Sequence, residues 1–234
     1  TAHLFGLCGQ RTPRAVSAAE GVRYCLYYKH LHRRLTSLFQ NVILMVKCYD
    51  WEDTLMNAEQ YRAVIGWFNA RPAAKKALRL VSRGAVGLVY LLYLGMLAWL
   101  ALHRSEQLWP AVIVPAAAFL VGTLVRRVID RPRPYTALGF APLFPKDKPG
   151  QSMPSRHCFS AAAIAGAAWF VLRPLGIVLA VLGVLIAVCR VVTGVHYISD
   201  VLAGLAFGAV FAVLGWNAFV LAASAVGFYS IMLL

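Results

Sequence analysis

The sequence predicts an all-α, polytopic membrane helix bundle of about six transmembrane helices. Three observations carry that expectation. Of the 234 residues, 60% are hydrophobic and only 14% are charged, where a soluble domain carries about 25%. No Asp, Glu, Lys or Arg occurs in the 34 residues after Asp200. The second half of the chain divides into apolar runs close to the roughly 20 residues that one bilayer crossing needs.

The elements follow in order. Residues 1–55 read as an N-terminal basic segment of unknown role, with three of the five cysteines and seven basic residues. Within it, 35–46 is apolar but short, and Gln40 and Asn41 interrupt it, so it reads as an interfacial helix or a marginal span. Residues 56–83 read as an amphipathic or interfacial helix and linker. That helix is expected over 53–70, with Asp53 as N-cap, Ala63, Val64, Trp67 and Phe68 as its apolar stripe, and Arg71-Pro72 as its end. Arg71, Lys75, Lys76, Arg79 and Arg83 then precede the first strong span. Residues 84–234 read as the transmembrane core, with spans at 84–102, 108–125, 155–172, 174–192, 198–215 and 217–234. The one long link, 126–154, is proline-rich and reads as a loop. Gly204 and Gly208 form a GxxxG pair, which favours close helix contact. Trp99, Trp109 and Trp216 fit interfacial belts. Lys75, Lys76, Arg79, Arg104, Arg173, Arg127 and Arg131 read as anchors of helix ends in headgroups.

The formal net charge is +14. The basic residues lie between apolar runs rather than along a solvated face. They therefore point to the lipid bilayer and anionic headgroups as partners, and away from nucleic acid. The cysteines at 8, 25, 48, 158 and 189 form no CxxC pair and no zinc-like spacing, so free thiols are expected. The opening stretch has no apolar h-region, so no cleavable signal is expected there. Oligomeric state has no signature in the sequence.

Ionisable groups at the ends of spans mark function. Three clusters occur: RRVIDRPRP at 126–134, Pro154-Ser155-Arg156-His157, and CRVVTGVHYISD, which carries Arg190, His196 and Asp200. Four arginines (Arg126, Arg133, Arg156, Arg190) and two histidines supply many donors and few acceptors, the make-up of an oxyanion site. Guanidinium forks match phosphate oxygens. Ser155 and Arg156 fall at an expected helix N-terminus, which also favours an anion. The spacing from His196 to Asp200 puts both on one face if the segment is helical. Asp200 then fixes the imidazole tautomer and leaves the other nitrogen to attack phosphorus. His157, from another span, is placed to protonate the leaving oxygen. One acidic group among many cations is a poor set of metal ligands, so no metal or other cofactor is expected.

These residues resemble the signature of the type 2 phosphatidic acid phosphatases (PAP2), also called lipid phosphate phosphatases. That signature reads KxxxxxxRP, PSGH and SRxxxxxHxxxD. Here the first part is Arg126, six residues, then Arg133-Pro134; the second is Pro154-Ser155-Arg156-His157; the third is Arg190, five residues, His196, three residues, Asp200. The resemblance covers about residues 84–215. It implies a membrane hydrolase acting on a lipid phosphate through phosphohistidine. In that scheme Arg126, Arg133, Ser155, Arg156 and Arg190 bind phosphate, His157 is the general acid, His196 the nucleophile and Asp200 its orienter. Three positions depart from the pattern: Arg126 for lysine, Arg156 for glycine and Cys189 for serine.

The expected substrate is a membrane lipid phosphate, such as phosphatidic acid, phosphatidylglycerol phosphate or undecaprenyl diphosphate. A vanadate-dependent haloperoxidase-like enzyme is the alternative enzyme reading, against which the apolar spans argue. A non-catalytic phospholipid-binding or transport protein is the other, against which His157, His196 and Asp200 argue. The site is expected at one membrane–water boundary. The basic run at 71–83 places it on the cytoplasmic side, whereas an added crossing near 35–48 reverses that.

Overall fold

A computed structural model describes residues 56–225, which are helical, with no strand among them. In chain order the helices are α1 (Ala58–Asn69), α2 (Pro72–Leu102), α3 (Leu108–Ile129), the short α4 (Pro134–Ala137), α5 (Arg156–Val171), α6 (Arg173–Val192) and α7 (Ile198–Ala225). Four segments are long and apolar enough to cross a membrane: Pro72–Leu102, Leu108–Ala137, Arg173–Val192 and Ile198–Ser224. The chain is a multi-pass membrane protein.

The bundle is built around α5. This helix has 16 residues, roughly 24 Å at 1.5 Å per residue, and it packs against α2, α3, α6 and α7. Its small residues, including Ala161, Ala163, Ala165, Ala167 and Ala168, are buried, so neighbouring backbones come close. The outer helices turn Leu91, Leu94, Leu120, Val181 and Leu214 outward, the inside-out pattern of a protein solvated by lipid.

Helix boundaries have local causes. Asn57 caps α1 through a capping box: Asn57 Oδ1 accepts from Gln60 N at 2.9 Å, and Gln60 Oε1 accepts from Asn57 N at 2.9 Å. Asp53, read as the cap, lies outside the described residues, as does the candidate span near 35–48. Pro72 sits at the first position of α2, where its missing N–H costs nothing. Lys75, Lys76, Arg79 and Arg83 are therefore on the first turns of α2 rather than on a linker. Asp130 stops α3 by adopting a left-handed conformation (φ 44°, ψ 40°), and its carboxylate accepts from Gln151 N at 3.2 Å.

Three expectations are corrected. The buried face of α1 is Tyr61 and Ile65, one turn apart, while Trp67 is exposed and carries the Arg71 guanidinium 4.4 Å from its ring centroid. The spans read at 198–215 and 217–234 are a single helix as far as Ala225. Nothing at the expected break stops a helix. Trp216 is only 7% exposed and stacks on Phe170 at 5.0 Å, so it is a core residue and not part of an interfacial belt.

The GxxxG pair brings α7 onto α5. A Cβ on Gly208 would lie 2.3 Å from Phe159 O and 2.7 Å from Ala162 Cβ; one on Gly204 would lie 2.9 Å from Ser155 O. That contact also joins Ser155 N to Asp200 O at 3.0 Å. The ends of α3 and α6 and the starts of α2, α5 and α7 thus meet at one end of the bundle, with α1 and the 130–155 loop against them.

Replacing Gly208 by valine is expected to lower stability by about 1–3 kcal/mol, the usual cost of overpacking. Gly84→Ala, on an open face of α2 with nothing within 4 Å of the added carbon, is expected to change it far less. Thermal unfolding in detergent measures both. Equal shifts for the two variants would refute the close contact.

Candidate active site

Asp200 is fully buried, and a buried carboxylate persists only when paired. Its Oδ1 accepts from Arg131 Nη1 at 2.8 Å. Its Oδ2 accepts from Tyr197 N at 2.9 Å and from Ser152 Oγ, and lies 3.4 Å from His196 Nδ1. Ser152 Oγ is also 3.4 Å from that nitrogen. Nδ1 is therefore engaged, and Nε2 is the nitrogen left for the cavity that His196 lines. His196 precedes α7 instead of lying on it, so the expected helix face is replaced by a turn. The carboxylate reaches back to cap the first turn of α7 and meets the imidazole on the way. Burial holds the His196 imidazole below its ordinary value of 6.5, against the pull of Asp200.

A cavity of about 410 Å³ opens beside His196. Arg126, Arg133, Arg156, His157 and Arg190 line it, as expected from the three motifs, and Lys146, Lys148 and Gln151 add to its wall. Arg126 donates through Nη1 to Pro154 O at 2.6 Å and through Nη2 to Gln151 O. Arg133 Nε donates to Gly150 O at 3.2 Å. The loop backbone thus fixes two guanidinium groups in place. Nε of Arg126, Arg156 and Arg190 is buried with no hydrogen-bond partner. Buried donors are normally satisfied, so unpaired ones converging on a cavity suit an anion. The first turn of α5 adds the end of a helix with no side-chain cap.

Ser155 stands apart from this group. It is fully buried, it does not line the cavity, and its N–H goes to Asp200 O. Asp200 is likewise behind the cavity wall and reaches it only through His196.

Sequence reasoning missed three residues here. Arg131 was expected among headgroups, but it is 2% exposed, pairs with Asp200, donates to Ser199 Oγ at 2.7 Å and lies 4.0 Å from the Tyr197 ring centroid. The signal available was its place two residues before Arg133, since residues two apart in extended chain face the same side. A buried Asp200 also demanded a cation. Ser152 carried no signal. Tyr61, on α1, donates to His196 O at 3.3 Å and stacks on Phe140 at 5.2 Å. Arg127, by contrast, is exposed, in keeping with a headgroup anchor.

A lipid A 1-phosphatase from Rhizobium johnstonii is 35% identical over 100 residues, 41% of this chain and 41% of that protein. A decaprenylphosphoryl-5-phosphoribose phosphatase from Mycobacterium tuberculosis is 36% identical over 124 residues, 50% of this chain and 65% of that protein. The match therefore spans less than two thirds of either relative. Among solved structures, the first transmembrane PAP2 type phosphatidylglycerolphosphate phosphatase from Bacillus subtilis shares the fold, with TM-score 0.55 and 21% identity over 78% of this chain and 94% of that one. Aquifex aeolicus LpxE does so with TM-score 0.56 and 24% identity over 71% and 98%. The family model of the PAP2 superfamily matches residues 107–223, half of the chain and all three motifs, and the chain belongs to that superfamily.

Proposed function

We propose that this protein is a metal-independent membrane lipid phosphatase that works through a phosphohistidine at His196. One observation carries the reading: a buried imidazole, held at Nδ1 by Asp200, lines a cavity walled by arginines. Arg126, Arg133 and Arg190 hold the oxygens of the reacting phosphoryl group, whose transition state spreads charge over them. The Nε2 lone pair of His196 forms the N–P bond as the P–O bond to the lipid breaks. His157 gives its proton to the departing lipid oxygen. His157 then takes a proton from water, the water oxygen bonds to phosphorus, the N–P bond breaks, and inorganic phosphate leaves.

Asp200 and Arg131 act through His196. The carboxylate orients the ring and offsets the positive charge that the imidazole gains on phosphorylation. Among the described residues no three His, Cys, Asp or Glu side chains form a group that could hold a metal ion; Asp200 is already paired to Arg131, and Asp147 on the cavity wall stands among Lys146, Lys148 and the arginines. That donor set supports chemistry by cations and imidazole alone. The position at one end of the bundle lets a headgroup reach the arginines while its tails stay in the bilayer. Membrane lipid phosphates are the substrate class, in line with the phosphatases named among the relatives. A binding or transport protein would need the arginines only; the Ser152–Asp200–His196 array favours turnover.

Phosphate release from detergent-solubilised lipid phosphates is the direct test, run with and without chelator. His196→Ala is expected to abolish release and acid-labile labelling of the protein, and chelator to change neither. Residual labelling at wild-type level in His196→Ala would overturn the nucleophile. His157→Ala is expected to cost about 10²–10⁴-fold on an alkyl phosphate and much less on p-nitrophenyl phosphate, whose leaving oxygen needs no proton.

The acid limb of kcat/KM is expected below pH 6.5, because His196 attacks as the neutral imidazole and burial holds it below that value. Asp200→Asn removes a pull toward the protonated form, so the limb moves further to acid while the rate falls. A limb displaced above pH 6.5 in wild type contradicts this. Arg131→Ala leaves a buried carboxylate without its cation. It is expected to lower stability by about 3–5 kcal/mol and to depress kcat more than it raises KM, with Arg131→Lys intermediate. A wild-type kcat and thermal midpoint in Arg131→Ala would remove its positioning role.

A further inference from the structure

The arginine cavity does not end at the reacting group. A second, largely apolar groove adjoins it, walled by Val86, Val89 and Tyr90 of α2, Phe119 of α3, and the α5 stripe His157, Ser160, Ala161 and Ile164. Only Arg156 and His157 line both spaces. Their spacing along α5 gives the direction: the stripe runs from the polar cavity at the helix start to Ile164 two turns deeper. For a lipid with its phosphorus at His196 and its leaving oxygen at His157, this groove of about 60 Å³ offers an apolar place for the first carbons of the tail.

At the junction Arg156 poses an electrostatic question. It is half-buried, its guanidinium sits 5.7 Å from the Phe119 ring centroid, and its Nε has no hydrogen-bond partner. One turn on, Ser160 Oγ is also buried without a partner. Two unsatisfied donors, one of them cationic, thus face the mouth of an apolar groove. A phosphomonoester of an alcohol would set an uncharged carbon there, leaving both donors without an acceptor. A diphosphate would set its tail-side phosphoryl group there, supplying both charge and acceptor oxygens.

Resting on the proposed hydrolysis, we infer that Arg156 is a specificity-determining residue that grips the tail-side phosphoryl group of a lipid diphosphate, with Ser160 as a second donor. In that reaction His196 Nε2 bonds to the terminal phosphorus and the bond from that phosphorus to the bridging oxygen breaks. The bridging oxygen leaves with the lipid monophosphate and takes the proton of His157. Arg156 stabilises the negative charge that grows on this leaving phosphate, so its contribution rises in the transition state.

The test uses a matched pair, farnesyl diphosphate and farnesyl monophosphate, with the full-length protein in detergent. The ratio of their kcat/KM values is compared in wild type, Arg156→Gly and Arg156→Lys. The ratio is expected to fall at least about tenfold in the glycine variant, the scale of one lost charge-assisted hydrogen bond, and to recover in part with lysine. Binding of farnesyl methylenediphosphonate to His196→Ala reads the same contact without turnover. There, adding Arg156→Gly is expected to raise Kd at least about tenfold. An unchanged ratio, or equal losses on both substrates, overturns the inference by making Arg156 either idle or a holder of the reacting group. Absence of release by wild type from either substrate sinks the phosphatase reading instead, and the phosphonate Kd then decides the subsite by itself.

Discussion

The buried carboxylate of Asp200 organises the end of the bundle that carries the candidate site. It is the meeting point of four parts of the chain: Arg131 from the stretch after α3, Ser152 from the long loop, His196 from the α6–α7 turn, and the first turn of α7 through Tyr197 N. A carboxylate placed in such surroundings is costly unless each oxygen is satisfied. Each pairing therefore holds a segment in place as well as a charge. Even the Asp200 main chain contributes, since its carbonyl accepts from Ser155 N and ties the start of α5 to α7. Loss of any partner loosens the others, and the imidazole is the group whose position depends on all of them.

That arrangement requires α5 and α7 to lie unusually close, which the membrane setting explains. Lipid offers no hydrophobic drive for helix association, so contact must come from shape. Small residues of α5 and the glycines of α7 let the backbones approach, and the approach sets the distance from Ser155 to Asp200. Larger side chains would hold the helices apart and separate the motifs. The apolar exterior and the polar end of the molecule are thus connected: packing deep in the bundle fixes the geometry of charges at its boundary.

Much of the site was legible because chemistry ties residue type to spacing. Arg126, Arg133, Arg156, His157, Arg190 and His196 line one cavity, as the three motifs imply. What the sequence did not disclose depends on tertiary contact. Arg131 looks like any other basic residue beside a span, and only the burial of Asp200 distinguishes it. Ser152 is one polar residue in a polar loop. Tyr61 lies 135 positions from His196, and its apolar neighbours suggested a different face of α1. Ser155 fits the motif by identity, yet its N–H is used to join helices and not to line the cavity. The break expected near residue 216 failed for a related reason: length near 20 residues suggested two crossings, but Trp216 is held in the core by Phe170 and the helix continues.

The cations and the proposed nucleophile constrain one another. Burial is the main cause that pushes the His196 imidazole below its ordinary value, and Arg133 and Arg126 push it the same way. The groups suited to grip phosphate therefore also favour the neutral form of the imidazole proposed to attack. In the proposed reaction a bound phosphoryl group offsets those cations, and its transfer to Nε2 then leaves a positively charged ring. At that stage Asp200 faces a cation at Nδ1 in place of a neutral ring, so its interaction is strongest where the reaction has most need of it. A pocket with the same arginines but no buried carboxylate would bind the lipid equally well and lack this difference between ground state and intermediate. The pairing of Arg131 with Asp200 matters for that reason: it holds the carboxylate in place beside Nδ1.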